Sequence, residues 1–291
     1  MTAAVVSPTL ALIAAQLTQG LTLVKVAAAV IMVLGLALVA ERVSPRTAGV
    51  LAGFPLGGAI SLFFIGYEIG PGFAAQSAIY TTAGLISTLF FAFVYHEAAR
   101  RSDRLGRAPA LVLSSTAAIA AYALVAVLVK RLPDSLPLAS AVALASIFCF
   151  DRLLRRVVDV RIAERKRVGP ALLVLRAFWA AAVIVLITAA AGIVGPRWAG
   201  LFAAFPVTMF PLFLIIHYSY EFRHVASIIR NVPRGLVSLV IYCAAVTLCY
   251  PRLGVAWGTI LAYALATLYL VAVNLRTRPG YRFRSVSGHP E

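Results

Sequence analysis

Apolar residues in this chain come in unbroken runs rather than in the one-sided stripes of helices that pack against water. The runs fall at about 21–40, 47–66, 73–95, 109–129, 135–151, 171–192, 197–217, 226–248 and 254–274. At 1.5 Å per residue each matches a hydrocarbon core of roughly 30 Å, so the pattern predicts nine transmembrane helices and an all-α, polytopic membrane fold. A shorter run, Leu10 to Leu17, is interrupted by Gln16 and preceded by Pro8, with no Lys or Arg before it. It is too short to span and lacks the basic start of a signal peptide. Residues 1–20 are therefore expected to lie at the interface, with a tenth helix as the alternative.

Within these runs one stretch occurs twice. Ser44-Pro45-Arg46-Thr47-Ala48-Gly49-Val50-Leu51-Ala52-Gly53-Phe54-Pro55 returns as Gly195-Pro196-Arg197-Trp198-Ala199-Gly200-Leu201-Phe202-Ala203-Ala204-Phe205-Pro206, 151 residues later. The same offset holds without a gap from Leu21/Leu172 to Ser87/Ser238, pairing Lys25 with Arg176 and Tyr67 with Tyr218. The expected organisation is a first four-helix repeat over 21–130, a linking helix and basic loop over 131–170, a second repeat over 171–275, and a tail over 276–291. Because a single unpaired helix (135–151) separates the units, the second is inverted relative to the first. Inverted repeats of this kind build many secondary transporters about a two-fold axis in the membrane plane.

Composition agrees with the membrane reading. The chain is 62% hydrophobic and 12% charged, against about 45–50% and about 25% in soluble domains. Its net charge of +16 would suggest nucleic acid in a soluble protein, but here the basic residues sit in short segments between apolar runs. With the N-terminus outside, twenty Lys and Arg fall on the cytoplasmic side and four outside. The positive-inside rule thus predicts an inner-membrane protein, N-terminus out and C-terminus in, facing anionic lipid and not nucleic acid. Cys149, Cys243 and Cys249 lie in or beside apolar runs with no metal or disulfide spacing.

The string Trp198-Ala199-Gly200-Leu201-Phe202-Ala203-Ala204-Phe205-Pro206, followed by Leu214-Ile215-Ile216-His217-Tyr218, resembles the GlpM-like small four-helix proteins of bacterial inner membranes. The resemblance implies that 172–274 is one such unit and 21–129 a second, diverged one, with Gly66 where His217 stands. It bears on architecture and says little of substrate.

No motif for catalysis, a cofactor or a metal stands out, so the chain is not expected to be an enzyme. Two constellations point to a binding site. Pro55 and Pro206 each remove a backbone N–H in mid-run and free the carbonyl four residues earlier, at Leu51 and Phe202. Interrupted helices at equivalent places in two inverted halves mark a midplane site, which nominates Phe54, Pro55, Phe205 and Pro206. A plain kink is the simpler alternative. Lys25 and Arg176 are basic residues inside apolar runs, each costing about 2.5–3.5 kcal/mol at a helix centre. Either they snorkel to headgroups, or, with every acid at a helix end or in a loop, they hold an anion. Ser87 and Ser238 occupy equivalent positions beside this path.

These residues predict a secondary transporter of a small anion or anionic lipid-linked molecule, working by alternating access. The expected partners are membrane lipid, the small anion and a second copy of the chain. A passive anion channel is the alternative. Fused fluoride channels share the four-plus-one-plus-four plan, and Phe54-Pro55-Leu56-Gly57-Gly58 resembles their Phe-Pro-X-Gly-Thr string, but the pore asparagine expected after it is absent. A non-transporting partner subunit is the third reading.

Overall fold

The computed structural model describes residues 22–28, 30–31, 54–157, 170–219 and 222–276. The expectations for residues 1–20, for the tail after 276 and for the Arg176 side chain lie outside the described residues. What is described is all helical, with no strand. After the N-terminal helical residues 22–28 and 30–31 come α1 (Gly57–Glu68), α2 (Pro71–Ser102), a 3₁₀ turn (Asp103–Leu105), α3 (Arg107–Val129), α4 (Leu136–Leu154), α5 (Pro170–Ala203), α6 (Met209–Ser219) and α7 (Phe222–Arg276).

Two of these are bent pairs. α5 turns at Gly195 (φ 77°, ψ 169°) and α7 at Gly254 (φ 74°, ψ 172°), a backbone region essentially closed to side chains with a Cβ. Pro196 follows the first bend and, lacking an N–H, starts the next helical piece without leaving a donor unpaired. The expected boundaries at 192–197 and 248–254 therefore fall on these glycines.

Nine separate spans are not what the described residues contain. Five helices there are long and apolar enough to cross a membrane. The difference has three physical sources: the two runs carrying Phe-Pro are broken and leave the short helices α1 and α6, the final two runs continue as one bent helix, and most of 21–40 is not described.

α2 is the hub, packing against α1, α3, α4, α5 and α7. With 32 residues it is about 48 Å long, more than a bilayer core needs, so its Arg100–Arg101 end projects beyond. α3 and α4 leave most of their apolar surface uncovered, as lipid-facing helices do.

Asp151 fixes α4 to the rest. It accepts from Arg234 of α7 at 3.2 Å and pairs with Arg155 of its own helix at 2.9 Å, while Arg230 donates to the Val157 carbonyl at 2.7 Å. The two arginines flanking Asn231-Val232-Pro233 thus clamp the linking helix.

The Phe-Pro cavity and a buried ion pair

Both Phe-Pro sequences form the same local structure. The Leu56 N–H donates to the Phe54 carbonyl at 2.7 Å, and the Val207 N–H donates to the Phe205 carbonyl at 2.7 Å. Each is a three-residue turn centred on proline, whose ring presets the φ that an inverse γ-turn needs. A short helix starts directly after each turn, α1 at Gly57 and α6 at Met209.

The two turns meet. Phe54, Pro55, Gly57 and Gly58 from one, and Ala203 through Met209 from the other, line a cavity of about 30 Å³ together with Thr88, Leu236 and Leu239. That volume holds one or two waters. The approach is close because Gly58 lacks a side chain: a Cβ there would lie 2.8 Å from the Ala203 carbonyl oxygen.

A broken helix in an apolar medium must place its freed carbonyls on other donors. The expectation of a free carbonyl at Phe202 is corrected, since Phe202 accepts from the Phe205 N–H at 3.0 Å in a tightened last turn. The vacancies move by one and two residues. Tyr122 of α3 donates its hydroxyl to the Leu201 carbonyl, and Thr88 of α2 donates to Ala204 at 2.7 Å. On the other turn Tyr263 of α7 donates to the Pro55 carbonyl at 3.3 Å. Helices of the first half thus satisfy the break in the second, and a helix of the second half satisfies the break in the first. Phe205 lies against Phe91 and Tyr122, with ring centroids 6.0 and 5.1 Å away. Phe54 lies against Tyr263 at 6.2 Å.

Ser87 and Ser238 are fully buried but do not line the cavity; the next residues, Thr88 and Leu239, do. Ser238 donates to its own helix at the Gly235 carbonyl, 2.6 Å away, whereas Ser87 has no hydrogen-bond partner among the described residues.

Lys25 is elsewhere and is not an unpaired cation. Its ammonium lies 2.7 Å from Glu68 and donates to the Thr188 hydroxyl at 2.8 Å, 5.7 Å from the Phe64 ring centroid. The Lys25 side chain is 3% exposed and that of Glu68 13%. The expectation that no acid neutralises Lys25 is therefore corrected. Glu68 does end its helix, but α5 and the N-terminal helical residues enclose it. Ten residues of α1 separate Gly58 from Glu68, about 15 Å, so the pair and the cavity are two sites at opposite ends of one short helix.

No known family model, curated protein or solved structure matches the chain. Function is thus argued from the cavity itself. Three residues that bond carbonyls at the two breaks went unnoticed in the sequence: Thr88, Tyr122 and Tyr263. A signal existed for the tyrosines, because a phenol in an apolar run has to find an acceptor, and a broken helix supplies carbonyls.

Proposed function

We infer that the chain is a membrane carrier for a small anion, working by alternating access about the two Phe-Pro turns. It consists, in this reading, of inverted repeats over 21–130 and 171–275, with the N-terminus outside and the C-terminus cytoplasmic. The observation that carries the reading is the convergence of two identically built turns, 151 residues apart, on one cavity. A carrier that opens to either side in turn needs one site at the junction of its halves, and inverted repeats supply a junction with equivalent walls.

The preference for an anion rests on backbone rather than on Lys25. α1 and α6 both start at the cavity, so the positive ends of two helix dipoles and the amides of two first turns face it. The lining contains no carboxylate. The carboxyl end of α5 at Ala203 also lines the cavity and presents the opposite partial charge, so the preference for an anion rests on two helix starts against one helix end. The small volume suits a small ion, so an anionic lipid-linked molecule fits less well.

The test is stabilisation of the purified full-length protein by fluoride, chloride, nitrate, bicarbonate or phosphate, with sodium and potassium salts compared at equal ionic strength. A ligand at 100 times its Kd contributes about 2.7 kcal/mol, which raises the melting temperature by several degrees. At least one anion should do so whichever cation accompanies it. Gly57→Leu, which sends a side chain into the cavity past Val207, should abolish the shift. Equal melting temperatures in all salts would contradict the anion reading.

A further inference from the structure

One face of α2 carries a row of hydroxyls from the Arg197 end of the molecule to the cavity: Ser77, Thr81, Ser87 and Thr88, with Gly84 among them. On a helix these positions share an arc of about 120°, and they span about 16 Å along the axis. The part of α5 beyond its bend, residues 196–203, lies against this row. Thr81 donates to the Gly200 carbonyl at 3.0 Å, a Cβ on Gly200 would lie 2.1 Å from the Ser77 carbonyl oxygen, and a Cβ on Gly84 would lie 2.8 Å from Ala204 Cβ.

Two of the hydroxyls stand out. Ser77 and Ser87 are each 0% exposed, and neither oxygen has a hydrogen-bond partner among the described residues. Burying an unpaired hydroxyl is unfavourable, and an alanine in either place would avoid the cost. At the start of the row Arg197 is exposed, lies over the Tyr80 ring at 5.4 Å, and makes no ion pair among the described residues. The 196–203 piece is bounded by the Gly195 bend and by the Phe205-Pro206 turn, so neither end continues as regular helix.

We propose that the outer approach to the Phe-Pro cavity runs between residues 196–203 and the hydroxyl row of α2, that it takes an anion, and that Arg197 captures the anion first. This rests on the carrier reading above. In the present structure the approach is closed, with glycine against backbone. When 196–203 swings away from α2, Ser77 and Ser87 become donors to the passing ion, which supplies the acceptor they lack in the closed form. Pro45-Arg46 repeats Pro196-Arg197 in the first half, so the inverted plan sets an equivalent arginine before the other break.

The test is cysteine accessibility in intact cells expressing the full chain, in a background of Cys149→Ser, Cys243→Ala and Cys249→Ser. Ser77→Cys, Ser87→Cys and Thr208→Cys probe the approach and the cavity. Thr82→Cys, equally buried on the far side of α2, is the control. External sulfonatoethyl methanethiosulfonate should modify Ser77→Cys and Ser87→Cys but not Thr82→Cys, and faster than its trimethylammonium analogue does. Adding Arg197→Gln should slow the anionic reagent about tenfold and speed the cationic one, since the field of the mouth charge acts with opposite sign on the two. The proposal is overturned if Ser77→Cys and Ser87→Cys are as inert as Thr82→Cys, or if the cationic reagent is the faster. Modification of Thr208→Cys with the row inert would remove this approach and leave the cavity standing. If Thr208→Cys is inert as well and no anion stabilises the protein, the carrier reading falls with it.

Discussion

Gly200→Ala is expected to lower the melting temperature of the purified protein more than an alanine at any other described glycine of φ below zero. Its Cβ would fall 2.1 Å from the Ser77 carbonyl oxygen and 2.8 Å from Tyr80 Cβ, and the first of these is backbone, which cannot turn aside. Residues 196–203 would have to move off α2. That displacement stretches the Thr81 bond to Gly200 and the Thr88 bond to Ala204, and each weakened bond is a further loss. Overpacking of this kind costs about 1–3 kcal/mol, and two disturbed hydrogen bonds add to it. Gly72→Ala is the internal control, because a Cβ there meets nothing within 4 Å. Thermal scanning in detergent should show a large fall for the first variant and none for the second; similar melting temperatures would mean that α2 and 196–203 do not pack as described.

Lys25→Gln and Glu68→Gln should each destabilise the protein by about 3–5 kcal/mol, the range for breaking one side of a buried ion pair. The remaining charge would keep no oppositely charged partner in a site where the side chains are 3% and 13% exposed. Thr188 offers Lys25 one hydroxyl, too little to replace a carboxylate. The double variant Lys25→Met/Glu68→Leu removes both charges and should recover most of the loss, as apolar replacements of buried pairs commonly do. Adding the single variants Lys25→Met and Glu68→Leu closes the cycle by melting temperature. Additive losses in the double variant would show that the two residues act independently, and a fully stable Lys25→Gln would return Lys25 to the role of a snorkelling anchor.

The architecture was legible where the signal is local or periodic. Runs of apolar residues mark helices because spanning segments hold their backbone hydrogen bonds internally, and the described residues are helical over most of those runs. The breaks were legible too, because proline removes a specific donor. Sequence could not say which carbonyl would go unpaired. Proline at 206 frees the Phe202 oxygen in a regular helix, but the chain tightens there and the demand passes to Leu201 and Ala204. The Lys25 partner was hidden for a different reason: Glu68 is 43 residues away and ends its helix, a place where carboxylates are usually solvated. The packing of α5 and of the N-terminal helical segment around that helix end encloses it. Ser87 and Ser238 look equivalent in sequence, yet Ser238 bonds its own helix and Ser87 does not.

Initial rates of anion efflux from liposomes containing the purified protein test most directly whether the Phe-Pro cavity carries an anion. Fluoride, chloride, nitrate, bicarbonate and phosphate would each be loaded over a range of concentrations, with wild-type protein and with Gly57→Leu. At least one anion should leave faster than from protein-free liposomes, with a rate that saturates, and Gly57→Leu should reduce that rate to background while the protein remains folded and inserted. Efflux of none of them, or efflux that Gly57→Leu leaves unchanged, would contradict transport through this cavity.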